Sequence, residues 1–363
     1  MSTTPAAMNF SQSYAEARAK FLIAAHAAGL TVESHAHPLT GRDGEPLAMD
    51  VVRDGPADAR AVLLLSSACH GVEGYCGSGI QIALLQDAAL RAQAHAAGVA
   101  LLVVHGLNPW GFSWWRRTTH ENVDLNRNFH DFGQPLPANP AYAELAALIV
   151  PDTWPPTPEV NAQTMAWIGQ HGPKAWQAAV SAGQHTHPDG LFHSGREPTW
   201  SNRTVRAVLA QHGRQCARLG WIDFHTGLGP NGHGERILST ADDAAALARA
   251  RAWWGPAITS TYDGSSTSAQ LTGMMFQAAY DECPQAEYTG IALEYGTEPL
   301  EVVLQALRAD QWLMNHPDTP AELAAPIKRA LRDAFYTDTD GWKDQVLAQG
   351  IEAAKQAVAG LAG

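Results

Sequence analysis

Residues 60–105 of this chain have the sequence RAVLLLSSACHGVEGYCGSGIQIALLQDAALRAQAHAAGVALLVVH. Arg60–Ser66 is a short apolar run that predicts a buried strand, and Val99–His105 predicts a second one. Between them we expect a glycine-rich turn over His70–Gly79 and then a helix over about Ile80–Ala97. A strand, a crossover helix and a second apolar strand form a right-handed βαβ unit, which implies a parallel sheet.

Three further segments extend this pattern. Ser13–Gly29 predicts a helix, and the apolar runs Gly220–Phe224 and Gly290–Leu293 predict two more strands. We therefore expect an α/β fold, with a central mixed and mostly parallel sheet flanked by helices. The motifs described below lie between about residues 60 and 300, and we expect residues 1–363 to form a single domain.

The composition excludes several classes of function. The net charge is −12, from 24 Lys and Arg against 36 Asp and Glu, and no basic run is present, so nucleic acid and anionic membranes are poor partners. No segment approaches the ~20 apolar residues of a membrane helix, and the N-terminus lacks a signal-peptide pattern. The four cysteines show no C-x-x-C spacing, which predicts reduced thiols. We expect a cytoplasmic protein, and its oligomeric state stays open.

Side chains that can bind a metal occur where three predicted strands end. His70 and Glu73 follow the first strand, and His225 and Glu294 each follow a later one. Ligands of a parallel α/β sheet bind outside the carboxyl ends of its strands, so these four side chains are expected to meet. Two histidines and one glutamate leave one zinc coordination position open, as in catalytic sites. We therefore expect one Zn²⁺ per chain on His70, Glu73 and His225, with Glu294 as the base that accepts the water proton.

Five segments resemble the motifs of zinc carboxypeptidases of the carboxypeptidase A type. They are His70–Glu73 (HGVE), Trp115–Thr118 (WRRT), Asn122–Phe129 (NVDLNRNF), Phe224–Thr226 (FHT) and Leu293-Glu294. Their order along the chain is that of the family. The nearest branch resembles a bacterial group that is labelled as a domain of unknown function. The resemblance implies a zinc exopeptidase fold and activity.

The resemblance also implies roles for residues outside the metal set. Arg116 would polarise the scissile carbonyl and stabilise the oxyanion, and Asn126 and Arg127 would grip the carboxylate of the substrate. Arg117 is adjacent to Arg116, so one of the two can be merely solvated, and the motif favours Arg116. Glu298 is a second candidate for the base, but it lies farther from the strand end.

The chain departs from the family pattern in two respects. A Pro/Trp-rich insertion, residues 151–202, lengthens the separation between Glu73 and His225, and within it we predict one helix, around Lys174–Ala182. We expect this insertion, above all Gly183–Trp200, to border the mouth of the active site and to restrict substrate size. The late substrate-contacting tyrosine of the family cannot be assigned, because three tyrosines compete for it: Tyr262, Tyr280 and Tyr288.

The sequence leaves three functions open. The favoured prediction is zinc-dependent hydrolysis of an amide bond next to a free carboxylate in a small peptide. An alternative is an acyl-amino-acid deacylase of the aspartoacylase and succinylglutamate desuccinylase type, but those enzymes add a β-rich C-terminal domain, whereas residues 300–363 are helical in pattern. The third is a non-catalytic binding protein on a peptidase fold. Such relatives usually lose a metal ligand or the base, and this chain has all of them.

Overall fold

A computed structural model of the protein describes residues 6–363. Seven strands form one sheet: β1 (Val32–Thr40), β2 (Pro46–Asp54), β3 (Ala61–Ser67), β4 (Val99–His105), β5 (Arg218–Asn231), β6 (Gly234–Leu238) and β7 (Glu287–Gly296). Their spatial order is β1-β2-β4-β3-β5-β7-β6. The four central strands β4, β3, β5 and β7 are parallel, and β1, β2 and β6 add antiparallel edges. The predicted α/β fold with a mixed sheet is confirmed.

Helices cover both faces of the sheet. They are α1 (Tyr14–Ala27), α2 (Gly74–Gln86), α3 (Ala88–Ala96), α4 (Pro109–Ser113), α5 (Pro140–Ile149), α6 (Pro158–His171), α7 (Pro173–Ser181), α8 (Trp200–His212), α9 (Ala244–Trp254), α10 (Gln277–Glu282), α11 (Leu300–Asn315), α12 (Ala321–Phe335) and α13 (Asp340–Ala362). The predicted helix near the N-terminus is α1. In the described part of the chain, no helix combines the length and the apolar character needed to cross a membrane.

The central strands are buried on both faces, which explains their continuous apolar runs. In β3, Leu63 and Leu65 point into the core cluster that contains α1, α2 and α13, while Val62 and Leu64 point into the cluster that contains α8 and α10. Because the side-chain period of a strand is two, the same alternation in β5 and β7 fixes which polar side chains share a face. The site described below lies on the face of Val62 and Leu64.

The glycine-rich turn expected over His70–Gly79 is wrong in its second half, because α2 begins at Gly74. The glycines serve close packing instead of a turn: a Cβ at Gly77 would lie 2.6 Å from the Cβ of Ser67 and 2.9 Å from that of Phe224. The predicted helix also divides in two, because Asp87 ends α2 and accepts a hydrogen bond from the Leu90 amide at the start of α3.

Strands β1, β2 and β6 were not predicted, and β5 and β7 are longer than predicted. As a result, His225 and Glu294 lie within their strands and not after them. They are paired in the parallel register of β5 and β7, so the expected juxtaposition of the two side chains still arises.

The insertion, residues 151–202, is largely helical. The predicted helix is α7, and α6 precedes it without having been expected. None of the residues of α6 is buried, although the helix packs against α5 and α7. Helix α6 therefore packs on the outside of the protein and is not part of its core.

The close approach at Gly77 gives a test of the fold. We expect Gly77→Ala to lower the free energy of unfolding by about 1–3 kcal/mol, because the added Cβ must displace β3 or β5. The measurement is urea unfolding. The control is Gly169→Ala in α6, where no heavy atom lies within 4 Å of the added Cβ, and there we expect a gain of about 0.5–1 kcal/mol. Equal effects of the two substitutions would contradict the packing described.

Candidate metal centre

Two imidazoles and one carboxylate meet just beyond the carboxyl end of β3, beside the middle of β5. Glu73 Oε1 lies 2.9 Å from His70 Nδ1, and Glu73 Oε2 lies 3.1 Å from His225 Nδ1. All three residues are buried, and the three ligand atoms lie within 4.8 Å of one another. The structure therefore brings the three predicted ligands together, with the Glu73 carboxylate between the two imidazoles.

Each imidazole is held from behind by a buried carboxylate that the sequence analysis did not identify. Asp124 Oδ1 lies 3.1 Å from His70 Nε2, and Asp223 Oδ2 lies 2.5 Å from His225 Nε2. Both rings therefore present Nδ1 to Glu73 and Nε2 to an aspartate. A carboxylate behind a histidine fixes the tautomer and the orientation of a metal-binding ring. Asp223 is recognisable in the sequence because residues i and i+2 of a strand share a face.

A hydrogen-bonded chain across the sheet fixes Asp223 in turn. The indole of Trp221 donates to Ser66 Oγ at 2.7 Å, and the Ser66 hydroxyl donates to Asp223 Oδ1 at 2.6 Å. Ser66 and Asp223 are paired in the parallel register of β3 and β5. The orientation of His225 thus depends on two neighbouring strands of the sheet.

The charges in the site favour a cation at its centre. Burial alone would raise the pKa of Glu73, but the imidazoles of His70 and His225 outweigh burial and lower it. Burial alone would lower the pKa of His225, but Asp223 and Glu73 raise it well above its usual value. The carboxylates therefore stabilise positive charge at this point, whether a proton or a metal ion carries it.

Glu294 lies beside the three-residue set. Its Oε1 accepts a hydrogen bond of 3.0 Å from the Leu228 amide, and its side chain lines the same cavity as His70 and His225. Burial, together with the nearby Glu73 carboxylate, raises the pKa of Glu294 to about 7. The alternative base, Glu298, is exposed and does not line the cavity.

The two adjacent arginines have different surroundings. Arg117 lines the cavity and lies 3.1 Å from Glu73 Oε1 and 2.9 Å from Asp124 Oδ2. Arg116 is buried outside the cavity, where it lies 3.2 Å from Asp310 of α11 and also donates to Asn122. The structure therefore does not bring Arg116 to the site where the sequence analysis expected it, and it places Arg117 there.

Asn126 and Arg127 both line the cavity. The Arg127 guanidinium donates to the carbonyl oxygens of Ser181 and Asn126, and its Nη1 lies 3.9 Å from Asp124 Oδ1. Burial lowers the pKa of Arg127 to about 10. The Asn126 side-chain oxygen accepts a hydrogen bond from the Met275 amide. Arg127 is thus a buried cation, and the Asp124 carboxylate lies too far from it for a hydrogen bond.

These polar groups line a cavity of about 600 Å³. An apolar wall of the same cavity comes from α6, α7 and α11, with Ile168, Trp176, Val180, Leu304 and Leu307 among its side chains. Helices α6 and α7 of the insertion line this cavity, and the restriction of substrate size stays a prediction. Within Gly183–Trp200, only Phe192 lines the cavity.

Four residues other than glycine adopt a positive φ in the part of the chain that the structure describes. Ala68, Trp115 and Asn122 do so at 61°, 51° and 58°, and each stands two positions before a site residue: His70, Arg117 or Asp124. The fourth is Phe192, at 52°. Such backbone is uncommon outside glycine, and in this chain it is concentrated in the segments that carry the candidate site.

The three tyrosines that competed for the substrate-contacting position are occupied elsewhere. The hydroxyls of Tyr262 and Tyr288 donate to the carbonyl oxygens of Thr240 and Ser239, and that of Tyr280 accepts from the Ala241 amide. None of the three lines the cavity. The position stays unassigned.

The family model described as "Protein of unknown function (DUF2817)" matches residues 10–349. The chain belongs to this family. The predicted membership of a group labelled as a domain of unknown function is therefore confirmed, and the matched residues include every residue of the metal centre. No curated protein matches the chain.

Solved structures give weaker likenesses. Carboxypeptidase A from Helicoverpa armigera is 13% identical, with 88% of this chain and 73% of that chain covered and a TM-score of 0.43. A metallo-carboxypeptidase from Burkholderia cenocepacia is 12% identical, with 92% of this chain and 71% of that chain covered and a TM-score of 0.41. The ectoine utilization protein EutE from Ruegeria pomeroyi is 16% identical, with 78% of this chain and 67% of that chain covered and a TM-score of 0.36. With TM-scores below 0.5, these likenesses do not indicate what this member of the DUF2817 family does.

Proposed function

We propose that this chain is a zinc-dependent hydrolase that cleaves an amide bond next to a free carboxylate in a small substrate. The observation that carries the proposal is the convergence of three buried ligand atoms, from His70, Glu73 and His225, which lie within 4.8 Å of one another. One metal ion between them could bind all three, and its charge would be balanced by the Glu73 carboxylate.

The donor set fits zinc. Two histidine nitrogens and one carboxylate are a common protein ligand set of catalytic zinc, and a carboxylate behind each ring is the usual support. Bound zinc supplies a Lewis acid that brings the pKa of its water close to neutrality. With His70, Glu73 and His225 as its protein ligands, a zinc ion would keep one coordination position for water or substrate.

Glu294 is placed to accept the water proton. It lines the cavity beside Glu73 and His225, and the Leu228 amide fixes one of its oxygens. Its other oxygen then accepts the proton and later passes it to the leaving amine.

Arg117 is the better candidate for the group that binds the scissile carbonyl oxygen. Its Nη2 lies 2.8 Å from His70 Nε2, which also lies 3.1 Å from Asp124 Oδ1. If His70 binds the metal through Nδ1, its Nε2 carries a hydrogen and donates to Asp124. Arg117 Nη2 then has no acceptor on the ring and is available to an oxygen in the cavity. We therefore transfer to Arg117 the role expected of Arg116.

Arg127 and Asn126 are placed to bind the carboxylate of the substrate. The Arg127 guanidinium is 3% exposed and faces a cavity in which an anion would complete its pairing. The apolar wall from α6, α7 and α11 lies in the same cavity and would accept an apolar part of the substrate.

The size of the cavity keeps the second enzymatic alternative in view. A volume of about 600 Å³ accommodates a dipeptide or an acyl amino acid, and the apolar wall suits the acyl chain of the latter. Residues 300–363 are nevertheless helical, in α11, α12 and α13, and not a β-rich domain. The substrate pairs described below compare the two enzyme classes directly.

The metal assignment predicts the zinc content. We expect about one zinc per chain in the unmodified protein and almost none in His70→Ala or His225→Ala, because two ligands do not hold the ion as tightly as three. The measurement is elemental analysis after dialysis, with circular dichroism to check the fold. The control is His193→Ala. This histidine is buried but lies outside the cavity, so the variant protein should keep its zinc. Full zinc in both ligand variants would refute the site.

The neighbouring arginines provide a matched pair. We expect Arg117→Gln to keep zinc and to lower kcat by roughly 10²–10³-fold, the usual cost of losing an oxyanion donor. Arg116→Gln should act mainly on stability, because it leaves Asp310 of α11 with one cationic partner fewer. Kinetics below the unfolding temperature and thermal melts separate the two effects. A larger loss of kcat in Arg116→Gln would restore the role to Arg116.

The carboxylate requirement tests the proposed function most directly. Benzoyl-glycyl-phenylalanine should be cleaved with a kcat/KM at least ~10²-fold above that of its C-terminal amide, because the amide leaves the buried Arg127 unpaired. In Arg127→Ala the preference should disappear, mainly through a lower kcat/KM for the free acid. The same comparison of free acid and amide, made with N-octanoyl-phenylalanine, tests the deacylase alternative. Equal hydrolysis of acid and amide by the unmodified protein would remove the carboxylate requirement.

A further inference from the structure

Phe192 combines a strained backbone with a position in the cavity wall. Its φ is 52°, where a bulky residue other than glycine is an outlier. Its side chain is 7% exposed and lines the cavity. A glycine at this position would relieve the backbone strain, so the ring must offset the cost through its own contacts.

The surrounding hydrogen bonds keep the strained conformation in place. The Phe192 carbonyl accepts from the Gln184 amide at 3.2 Å, and the His193 carbonyl accepts from the Asp124 amide at 2.8 Å. The buried side chain of Gln184 donates to the Leu191 carbonyl at 3.3 Å. The segment before and after Phe192 is thus tied to itself and to the segment that carries Asp124.

The ring lies close to both cavity arginines. The Cζ atom of Arg117 is 5.1 Å from its centroid, and that of Arg127 is 5.6 Å away. A guanidinium within about 6 Å of an aromatic face is attracted by the ring quadrupole, more strongly where water is excluded. Asp124 also approaches both cations, at 2.9 Å from Arg117 and 3.9 Å from Arg127. The remaining contacts differ: Glu73 lies beside Arg117, whereas Arg127 donates to backbone carbonyl oxygens.

We propose that Phe192 is a positioning residue: its ring aligns the guanidinium groups of Arg117 and Arg127 for the scissile carbonyl and the carboxylate of the substrate. This inference rests on the proposed hydrolytic function. It gives the insertion a part in substrate recognition beyond limiting the volume of the cavity, because Phe192 belongs to residues 151–202.

A structural role for Phe192 makes a different prediction. The ring also belongs to an apolar cluster with Val72 and Trp176, and a leucine would fill much of that space. If packing were the whole of its role, Phe192→Leu would change stability and would not change the balance between acid and amide substrates. If the ring aligns the arginines, Phe192→Leu changes the balance between acid and amide substrates, whereas Phe192→Tyr leaves it as in the unmodified protein.

The experiment compares Phe192→Leu with Phe192→Tyr on benzoyl-glycyl-phenylalanine and its amide. We expect Phe192→Leu to keep its zinc and to lower the acid-to-amide ratio of kcat/KM roughly tenfold. Phe192→Tyr should stay within about twofold of the unmodified protein, because it keeps the π face. The control is Phe335→Leu, a second buried phenylalanine of the cavity wall, which should leave the ratio unchanged.

A second readout does not depend on activity. Phenylglyoxal modifies accessible guanidinium groups, and peptide mass spectrometry gives the rate at each arginine. We expect Arg117 and Arg127 to react severalfold faster in Phe192→Leu than in the unmodified protein or in Phe192→Tyr. Unchanged rates and an unchanged acid-to-amide ratio would overturn the role of Phe192. Failure of the unmodified protein to cleave either substrate would instead refute the hydrolytic function, and the modification rates would still decide on Phe192.

Discussion

One buried carboxylate, that of Asp124, holds the polar half of the site together. It lies 3.1 Å from His70 Nε2 and 2.9 Å from Arg117 Nε, and it accepts a hydrogen bond from the Asn126 amide at 3.0 Å. Burial alone would raise its pKa, but Arg117, His70 and Arg127 hold the pKa well below its ordinary value, so the group stays ionised. A buried charge is tolerated only when partners surround it, and the partners here are the residues that the proposed reaction needs.

The sequence identified most of the candidate site because its residues stand in ordered motifs along apolar strands. His225 and Glu294 lie within β5 and β7, where the parallel register pairs them. His70 and Glu73 follow β3, whose last residue, Ser67, pairs with Phe224, so all four side chains line one cavity. The sequence did not show which of the neighbouring arginines, Arg116 or Arg117, lines the cavity. That choice depends on the left-handed backbone just before them and on Asp310, almost two hundred positions later, and neither is visible in a local motif.

The fold was predictable where burial makes a segment uniformly apolar. The limits of β4 were predicted to the residue, whereas the edge strand β1 escaped notice because most of its side chains are exposed or half-buried and no apolar run marks it. The glycines of α2 were misassigned for a physical reason. Glycine serves both tight turns and close contact between backbones, and composition alone does not distinguish the two uses.

Helix α6 has a consequence for how this family can diversify. It contributes Asn161, Thr164, Met165 and Ile168 to the cavity, yet none of its residues is buried. Most substitutions harm a protein by disturbing its core, and those on an uncovered helix cost little stability. Natural selection or protein engineering can therefore vary the side chains of α6 that line the cavity while the sheet and the candidate metal centre stay intact. The lining of the cavity is therefore free to change without a matching loss of the capacity to fold.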